Sequence, residues 1–253
     1  MKKTYKTILI TGASSGLGRE LAIQYANKGI ILYLTGRNKS RLLDTVNICQ
    51  DKGANVLSKD IDVKDKESLY DWVVECDKLN NIDLVIANAG ISAGTSFNKK
   101  DSSQVYDIYE TNIIGVLNTI QPIIPLMMKR RQGQIALISS MSSFIGMPSC
   151  PAYSSSKACI SSYGEGLRGY LKQFNIGVSV ICPGFIKTPL TDCNNFPMPL
   201  LMPVDKASKK IIEGLEKNKG LITFPIIIYI MLKILRFLPF CITNYIFSKL
   251  PKK

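Results

Sequence analysis

Short apolar runs alternate with longer stretches of helical periodicity along most of this chain. Residues 7–11 are β-branched and apolar and end at Gly12. From 19 to 28 the apolar positions Leu21, Ala22 and Tyr25 recur at helical spacing. Short apolar runs bounded by turn residues predict buried strands, and longer 3.6-periodic stretches predict amphipathic helices. On that basis strands are expected at 7–11, 30–35, 54–58, 83–87, 134–139 and 177–181, and helices at 19–28, 40–52, 66–78, 102–128 and from 151 to about 174. Repeated strand–helix units of this kind build an α/β fold, a doubly wound parallel sheet with helices on both faces and right-handed crossovers. Ligands of such sheets sit beyond the carboxyl ends of the strands. Gly12, Arg37, Asp62, Asn88, Ser140 and Pro183 all fall at such ends.

Beyond Phe224-Pro225 the pattern changes. Apolar residues dominate 226–232, 237–240 and 242–250, interrupted by Lys233, Arg236 and Pro239. The uncharged run 221–232 is shorter than the roughly 20 residues a helix needs to cross a bilayer. Two interfacial helices are expected, lying on a membrane surface; the alternative is a helix pair buried against another subunit. The chain thus divides into a main α/β domain, 1–225, and an apolar, basic helical extension, 226–253. Just before the extension, 195–203 is an apolar, Met-rich loop placed to line a substrate mouth.

Composition sharpens this picture. The 253 residues carry a net charge of +13, and from Asp205 onward ten Lys/Arg face three Asp/Glu. The excess is concentrated where the chain is most apolar, which favours a membrane surface over nucleic acid as the anionic partner. No groove-reading motif accompanies it. Seven Cys are scattered without Cys-x-x-Cys spacing and His is absent. A metal site, a Ser-His-Asp triad and a Cys-His pair are therefore not expected. The N-terminus is basic, but only Ile8-Leu9-Ile10 follows before Thr11-Gly12, so no signal peptide is expected. The expected location is cytoplasmic, with the extension peripheral on the inner face of a membrane.

The chemistry sits on the loops. Gly12-Ala13-Ser14-Ser15-Gly16-Leu17-Gly18 joins a strand to a helix, the context of a pyrophosphate cradle. Gly12 permits the tight turn, Gly16 the approach of backbone N–H groups, and Gly18 close helix–strand packing. At the second strand tip, Gly36-Arg37 holds no acid to select a ribose 2′-hydroxyl and offers a guanidinium fork for a 2′-phosphate, or else a solvated loop arginine. Asp62 can accept from an adenine amine or cap the helix that follows. Asn88-Ala89-Gly90 is a turn. Asn112, among apolar neighbours, is either a satisfied buried amide or the holder of a water. From Ser139 to Lys157 a Ser-rich turn enters a helix bearing Tyr153 and Lys157 four apart, on one face. An ammonium one turn away is expected to lower the phenol's pKa from about 10. A phenol so tuned exchanges a proton with a carbonyl or alcohol oxygen, and Ser140 can bond the same oxygen. Alone, Tyr-x-x-x-Lys reads first as a surface pair on an ordinary helix, because short motifs match by chance.

In this order, Thr11-Gly-x-x-x-Gly-x-Gly18, Asn88-Ala-Gly90, Asn112, Ser140, Tyr153-x-x-x-Lys157 and Pro183-Gly-x-x-x-Thr188 resemble the short-chain dehydrogenases/reductases, over 6–189 with a weaker echo to Pro225. The resemblance implies one Rossmann-like domain with seven strands, the seventh at 222–224. It implies hydride transfer between a nicotinamide and a carbonyl/alcohol pair. Tyr153 is then acid/base, Lys157 its tuner and a ribose ligand, Ser140 the orienting hydroxyl and Asn112 the holder of a relay water. The implied cofactor site is Gly12, Ser14, Ser15, Gly16, Leu17, Gly18, Arg37, Asp62, Val63, Asn88, Ala89, Gly90, Tyr153, Lys157, Pro183, Gly184, Ile186 and Thr188, with Thr188 and the Ile186 backbone at the carboxamide. Arg37 makes NADPH the expected cofactor and the apolar C-terminal part a lipophilic substrate. Pairing through the helices at 102–128 and 153–173 would give a homodimer or tetramer. The competing reading is a catalytically silent NADP-binding sensor or scaffold, since a fold does not fix a function.

Overall fold

A strand inside a parallel sheet meets helices on both faces and so needs apolar side chains at successive positions. The computed structural model describes residues 3–92, 102–192, 194 and 196–248. In it the apolar runs become β1 (Thr7–Thr11), β2 (Ile31–Thr35), β3 (Asn55–Lys59), β4 (Leu84–Ala87), β5 (Gly133–Ile138), β6 (Ile176–Pro183) and β7 (Leu221–Phe224). They form one seven-stranded sheet in the order β3-β2-β1-β4-β5-β6-β7, and every pairing is parallel. The seven-stranded, doubly wound architecture is the expected one. Strand order reverses between β1 and β4, so a crevice opens there at the carboxyl ends.

The period of two along β1 separates two cores. Ile8 and Ile10 point to one face, where they pack with Leu32, Leu34, Leu84 and Ile86. Leu9 points to the other, with Tyr33, Val85, Ile135 and Leu137. Each such fully buried aliphatic side chain contributes about 1.5–3 kcal/mol. The first face is covered by α1 (Gly16–Tyr25), α2 (Lys39–Asp51) and α9 (Val204–Glu216), and the second by α3 (Lys66–Leu79), α5 (Gly115–Ile120) and α7 (Pro151–Leu171). Asn38 caps α2 by accepting from the Arg41 N–H at 2.9 Å, and Asp65 caps α3 through Ser68 at 3.1 Å. The cap of α3 is therefore Asp65 and not Asp62.

The helix expected at 102–128 is in fact a series. It comprises α4 (Ser102–Tyr109), one π-helical turn over Glu110–Ile114, α5, and α6 (Ile124–Arg130). Pro122, which has no N–H to give, lies in the turn between α5 and α6. The π turn inserts an extra residue around Asn112. A short 3₁₀ turn, Met141–Phe144, follows β5, and α8 (Pro189–Asp192) follows β6.

Helix α9 has no counterpart in the sequence-based expectation. It buries Ala207, Ser208, Ile211, Gly214 and Leu215 against the sheet. Lys206, Lys209 and Lys210 stand on its exposed side, so part of the basic excess after Asp205 belongs to a core helix of the domain. The extension forms two helices as expected, α10 (Ile226–Phe237) and α11 (Phe240–Ser248), broken at Leu238-Pro239. Lys249, Lys252 and Lys253 of the tail, and Cys193 and Asn195 before it, lie outside the described residues.

Candidate active site

The loop after β1 is shaped by contacts only glycine tolerates. Gly12 and Gly16 have φ of +68° and +54°. A Cβ on Gly12 would lie 2.9 Å from Ala89 Cα, and one on Gly18 would lie 2.4 Å from both the Gly12 carbonyl oxygen and Asn88 Nδ2. Asn88 locks the neighbouring strand end: its Nδ2 donates to the Thr11 carbonyl at 2.9 Å and its N–H to Thr11 Oγ1 at 3.1 Å. The α1 N-cap, Ser15, makes no side-chain cap bond, and the first turn of α1 holds no acid. Its free N–H groups and the helix dipole therefore offer an anion site facing the crevice. These features fit the pyrophosphate of a dinucleotide.

At the β2 tip, a Cβ on Gly36 would come within 2.9 Å of Ser14 Cβ, so this residue lets the tip touch the glycine loop. Arg37 is half-exposed and 3.6 Å from Asp62. Arg41, one turn into α2, lines the same cavity. Both guanidiniums stand where the 2′-phosphate was expected. The sequence reading missed Arg41, although its spacing of four from Arg37 across the helix start was the available signal. Val63 and Ile61 line the adenine end. Asp62 does not: its carboxylate turns to Arg37 and to the Lys64 N–H, 3.0 Å away.

The reacting end is built by β5 and α7. Ser139 Oγ donates to the Lys157 carbonyl at 2.8 Å, tying strand end to helix. Ser140 caps the 3₁₀ turn by accepting from the Ser142 N–H at 3.2 Å, and it is hydrogen-bonded to Tyr153. Lys157 is 3% exposed; its Nζ donates to the Ile138 carbonyl at 2.9 Å and lies 5.8 Å from the centre of the Tyr153 ring. Burial pushes the Lys157 pKa down to about 8. Burial pushes the Tyr153 phenol up to about 12, with the Ser140 bond opposing. The expected lowering of the phenol by its lysine is thus not the outcome. Desolvation of both groups outweighs their proximity, and the ammonium is committed to a backbone carbonyl. A half-buried, protonated phenol on the cavity wall is nevertheless the form that donates a proton near neutrality.

Asn112 is fully buried and does not line the cavity. Its Oδ1 accepts from the Ile91 N–H at 2.8 Å, and its Nδ2 donates to the Ile91 carbonyl and to Ser156 Oγ, each at 3.0 Å. It joins the segment after β4 to α7 just behind Lys157. Gly90 lies between the two: a Cβ there would be 3.2 Å from Asn112 Oδ1 and 3.3 Å from Lys157 Nζ. Gly18 also stays out of the cavity wall, its role being the close packing described above.

Pro183, Gly184, Ile186 and Thr188 arch over the glycine loop. The Gly184 N–H donates to the Phe224 carbonyl at 2.8 Å. Thr191 Oγ1 donates to the Ile186 carbonyl at 2.6 Å and accepts from the Thr188 N–H at 3.0 Å, which fixes the arch. A Cβ on Gly16 would sit 3.4 Å from Thr188 Cβ.

These parts share one cavity of about 1090 Å³. Gly12, Ser14, Ser15, Gly16, Leu17, Arg37, Val63, Asn88, Ala89 and Gly90 line one end, and Ser140, Tyr153 and Lys157 line its middle with Pro183, Gly184, Ile186 and Thr188. The far end is apolar. Met141, Met147, Phe185, Phe196 and Pro197 contribute there, with Phe196 and Pro197 from the expected substrate loop. So do Ile227, Ile228, Met231, Leu232 and Leu235 of α10 and Ile246 of α11, a wall that the sequence reading did not assign to the site.

The family model described as short chain dehydrogenase matches residues 6–196. The chain is 35% identical over 223 residues to an uncharacterized oxidoreductase of Myxococcus xanthus, covering 88% of each chain. Its fold is similar to a short-chain dehydrogenase/reductase of Burkholderia phymatum in complex with NAD (TM-score 0.82, 21% identity, 92% and 93% of the two chains covered). It is also similar to a short-chain dehydrogenase of Sphingobium yanoikuyae in complex with NADPH (TM-score 0.81, 22% identity, 97% and 96% covered).

Proposed function

The chain belongs to the short-chain dehydrogenase family, and on that footing we propose that it is an NADPH-dependent oxidoreductase interconverting a lipophilic carbonyl compound and its alcohol. One observation carries the reading: Ser140, Tyr153 and Lys157 meet where a glycine-lined, anion-accepting end of the cavity gives way to an apolar end. The nicotinamide, when bound, supplies or accepts the hydride. Tyr153, kept protonated by burial, donates to the carbonyl oxygen in reduction and takes the proton back in oxidation. The Ser140 hydroxyl bonds the same oxygen and holds it in line. Lys157 would hold the nicotinamide ribose and, as a cation beside the ring, would favour the phenolate left after donation. Asn112, a satisfied buried amide, holds α7 and the post-β4 segment in register behind Lys157. Thr188 and the Ile186 backbone would hold the carboxamide, and Gly12 to Gly18 the pyrophosphate.

NADPH is favoured over NADH because Arg37 and Arg41 flank the β2 tip, with Gly36 rather than an acid beside them. A 2′-phosphate would compete with Asp62 for Arg37. The lipophilic substrate follows from the apolar far end. Residues 1–225 form the catalytic domain, and 226–253 complete its substrate side while making peripheral contact with the cytoplasmic face of a membrane. Exposed Tyr106 and Ile114 on the α4–α5 series and Tyr170 on α7 support pairing of copies through those helices.

The test is NADPH oxidation by the purified full-length protein against short- and long-chain ketones, with Tyr153→Phe as control. Turnover that survives Tyr153→Phe unchanged overturns the acid/base assignment. Tight NADPH binding with no turnover on any carbonyl would favour the sensor or scaffold reading.

A further inference from the structure

Helix α10 is apolar almost all round, which in a soluble protein means burial on every side. Its surroundings differ by sector, at about 100° per residue. Ile228, Leu232 and Leu235 face the cavity. Tyr229, Lys233 and Arg236 turn to the 3₁₀ turn after Ser140. The Tyr229 and Phe144 rings pack edge-on at 5.1 Å, Lys233 Nζ lies 5.7 Å and 6.0 Å from the two ring centres, and Arg236 donates to the Phe144 carbonyl at 3.4 Å. Ile226, Ile230, Ile234 and Phe237 form a third sector, all exposed. Between that exposed stripe and the cavity wall lie Ile227 and Met231. These two line the cavity and yet are 64% and 51% exposed, so they sit on its rim.

We infer that the exposed face of α10 and α11 docks on an anionic bilayer, and that the substrate cavity opens into that bilayer at the rim formed by Ile227 and Met231. The inference rests on the reading of the cavity as the site of a lipophilic substrate. Charge selects the occupant. Residues 221–248 hold no acid, only Lys233 and Arg236. Lys233 and Arg236, both exposed, flank the apolar stripe, so a second copy docked across a two-fold axis would bring these cations together with no acid to pair them, whereas anionic headgroups would complement them. At 12 residues, about 18 Å, α10 is too short to span. It lies in the interface plane with its stripe down, as exposed apolar surface of this extent requires a partner. Phe240 and Ile242 of α11 are exposed as well, while Ile246 lines the cavity wall. A long-chain substrate can then move sideways from hydrocarbon to the Tyr153 end past Met231, without its chain being hydrated.

The test uses the full-length protein with Met231→Cys carrying a nitrobenzoxadiazole label, in a background with Cys150, Cys159, Cys193 and Cys241 changed to Ser. Tyr70→Cys, exposed on α3, is the control position. Vesicles of phosphatidylglycerol and phosphatidylcholine should shift the emission of the label at 231 to the blue, and doxyl-lipids should quench at least half of it. A long-chain methyl ketone without vesicles should shift the same label, and acetone should not. The label at 70 should respond to none of these. A label at 231 that ignores vesicles, or a tail-mediated oligomer that does not sediment with them, overturns the docking. A response to vesicles with none to the long-chain ketone places the mouth elsewhere and overturns the inference. If both responses occur and no ketone is reduced, the reductase reading falls and the entrance stands.

Discussion

Replacing Lys157 with Met should stabilise the cofactor-free protein near neutral pH and destabilise it at high pH. The wild-type lysine is a buried cation with its pKa pushed from 10.5 to about 8. Between those values the unfolded chain binds the proton and the folded chain does not, so this group makes stability rise with pH across that window. Below it both states are protonated and the full penalty of the buried charge applies. A fall of some 2.5 units at 1.36 kcal/mol each is about 3 kcal/mol. Met removes that penalty but also the bond to the Ile138 carbonyl, whose loss costs about 1 kcal/mol. The net expectation is about 2 kcal/mol of added stability near neutrality, turning to a loss of about 1 kcal/mol near pH 10.5. The change between the two ends, about 3 kcal/mol, does not depend on the hydrogen-bond term. Tyr153, at about 12, stays a phenol throughout the window, and the buried Cys182 thiol is common to both proteins. Urea unfolding of wild type and Lys157→Met at intervals of pH, followed by far-ultraviolet circular dichroism, measures the difference directly. A difference constant to within about 1 kcal/mol across the window would refute the reasoning. Lys157→Met should be inactive in either case, as expected where stability is surrendered at a functional site.

Four other outcomes are expected. Tyr153→Phe should bind NADPH with unchanged affinity by fluorescence titration and lose about 10²–10⁴ of turnover, the share of a positioned general acid. Arg37→Ala and Arg41→Ala should each weaken NADPH about tenfold to a hundredfold, from about 1.5–3 kcal/mol per charge-assisted bond, with NADH unaffected in the same titration. Tyr229→Ala removes the ring pair with Phe144 and a face for Lys233, so it should release α10, seen as faster limited proteolysis there, and lower turnover several-fold with the NADPH dissociation constant unchanged. Gly18→Ala places a methyl 2.4 Å from the Gly12 carbonyl oxygen and should cost about 1–3 kcal/mol in thermal unfolding.

Much of the site was legible because its demands fall on residue types with few substitutes. Positive φ at Gly12 and Gly16 and the absence of room at Gly18 write a glycine pattern into any chain that makes this turn. The bounds of β1 match the expectation at both ends, since a strand buried on both faces is apolar throughout. Helix α9 escaped notice because two of its buried positions, Ser208 and Gly214, carry no hydropathy signal and because its exposed lysines merged with the charge of the tail. The π turn at 110–114 has no pattern of its own; it is visible only once Asn112 is seen bonding Ile91 on one side and Ser156 on the other. The spacing of Tyr153 and Lys157 set their proximity. It carried no information on how far the packing around α7 buries Lys157 and desolvates the half-buried phenol, so the direction of the phenol's shift was misjudged.

The places where local rules fail converge on one cavity. Lys157 is a buried cation without a carboxylate partner among the described residues, which folding alone disfavours. A π turn interrupts a helix to aim Asn112 behind that lysine. Helix α10 has no broad polar face, although a helix merely covering a core would carry one. Under the proposed function the first and the last resolve when ligands are supplied: ribose hydroxyls would engage the lysine, and an aliphatic chain and lipid would cover the inner and outer sides of α10. A sequence optimised for folding alone would replace all three features, so their coexistence around Tyr153 argues for a working site over a vestigial one. The silent-scaffold reading explains the glycine loop equally well. It accounts for the lysine through the ribose, but it offers no reason to keep a protonated phenol bonded to Ser140 where the cavity turns apolar.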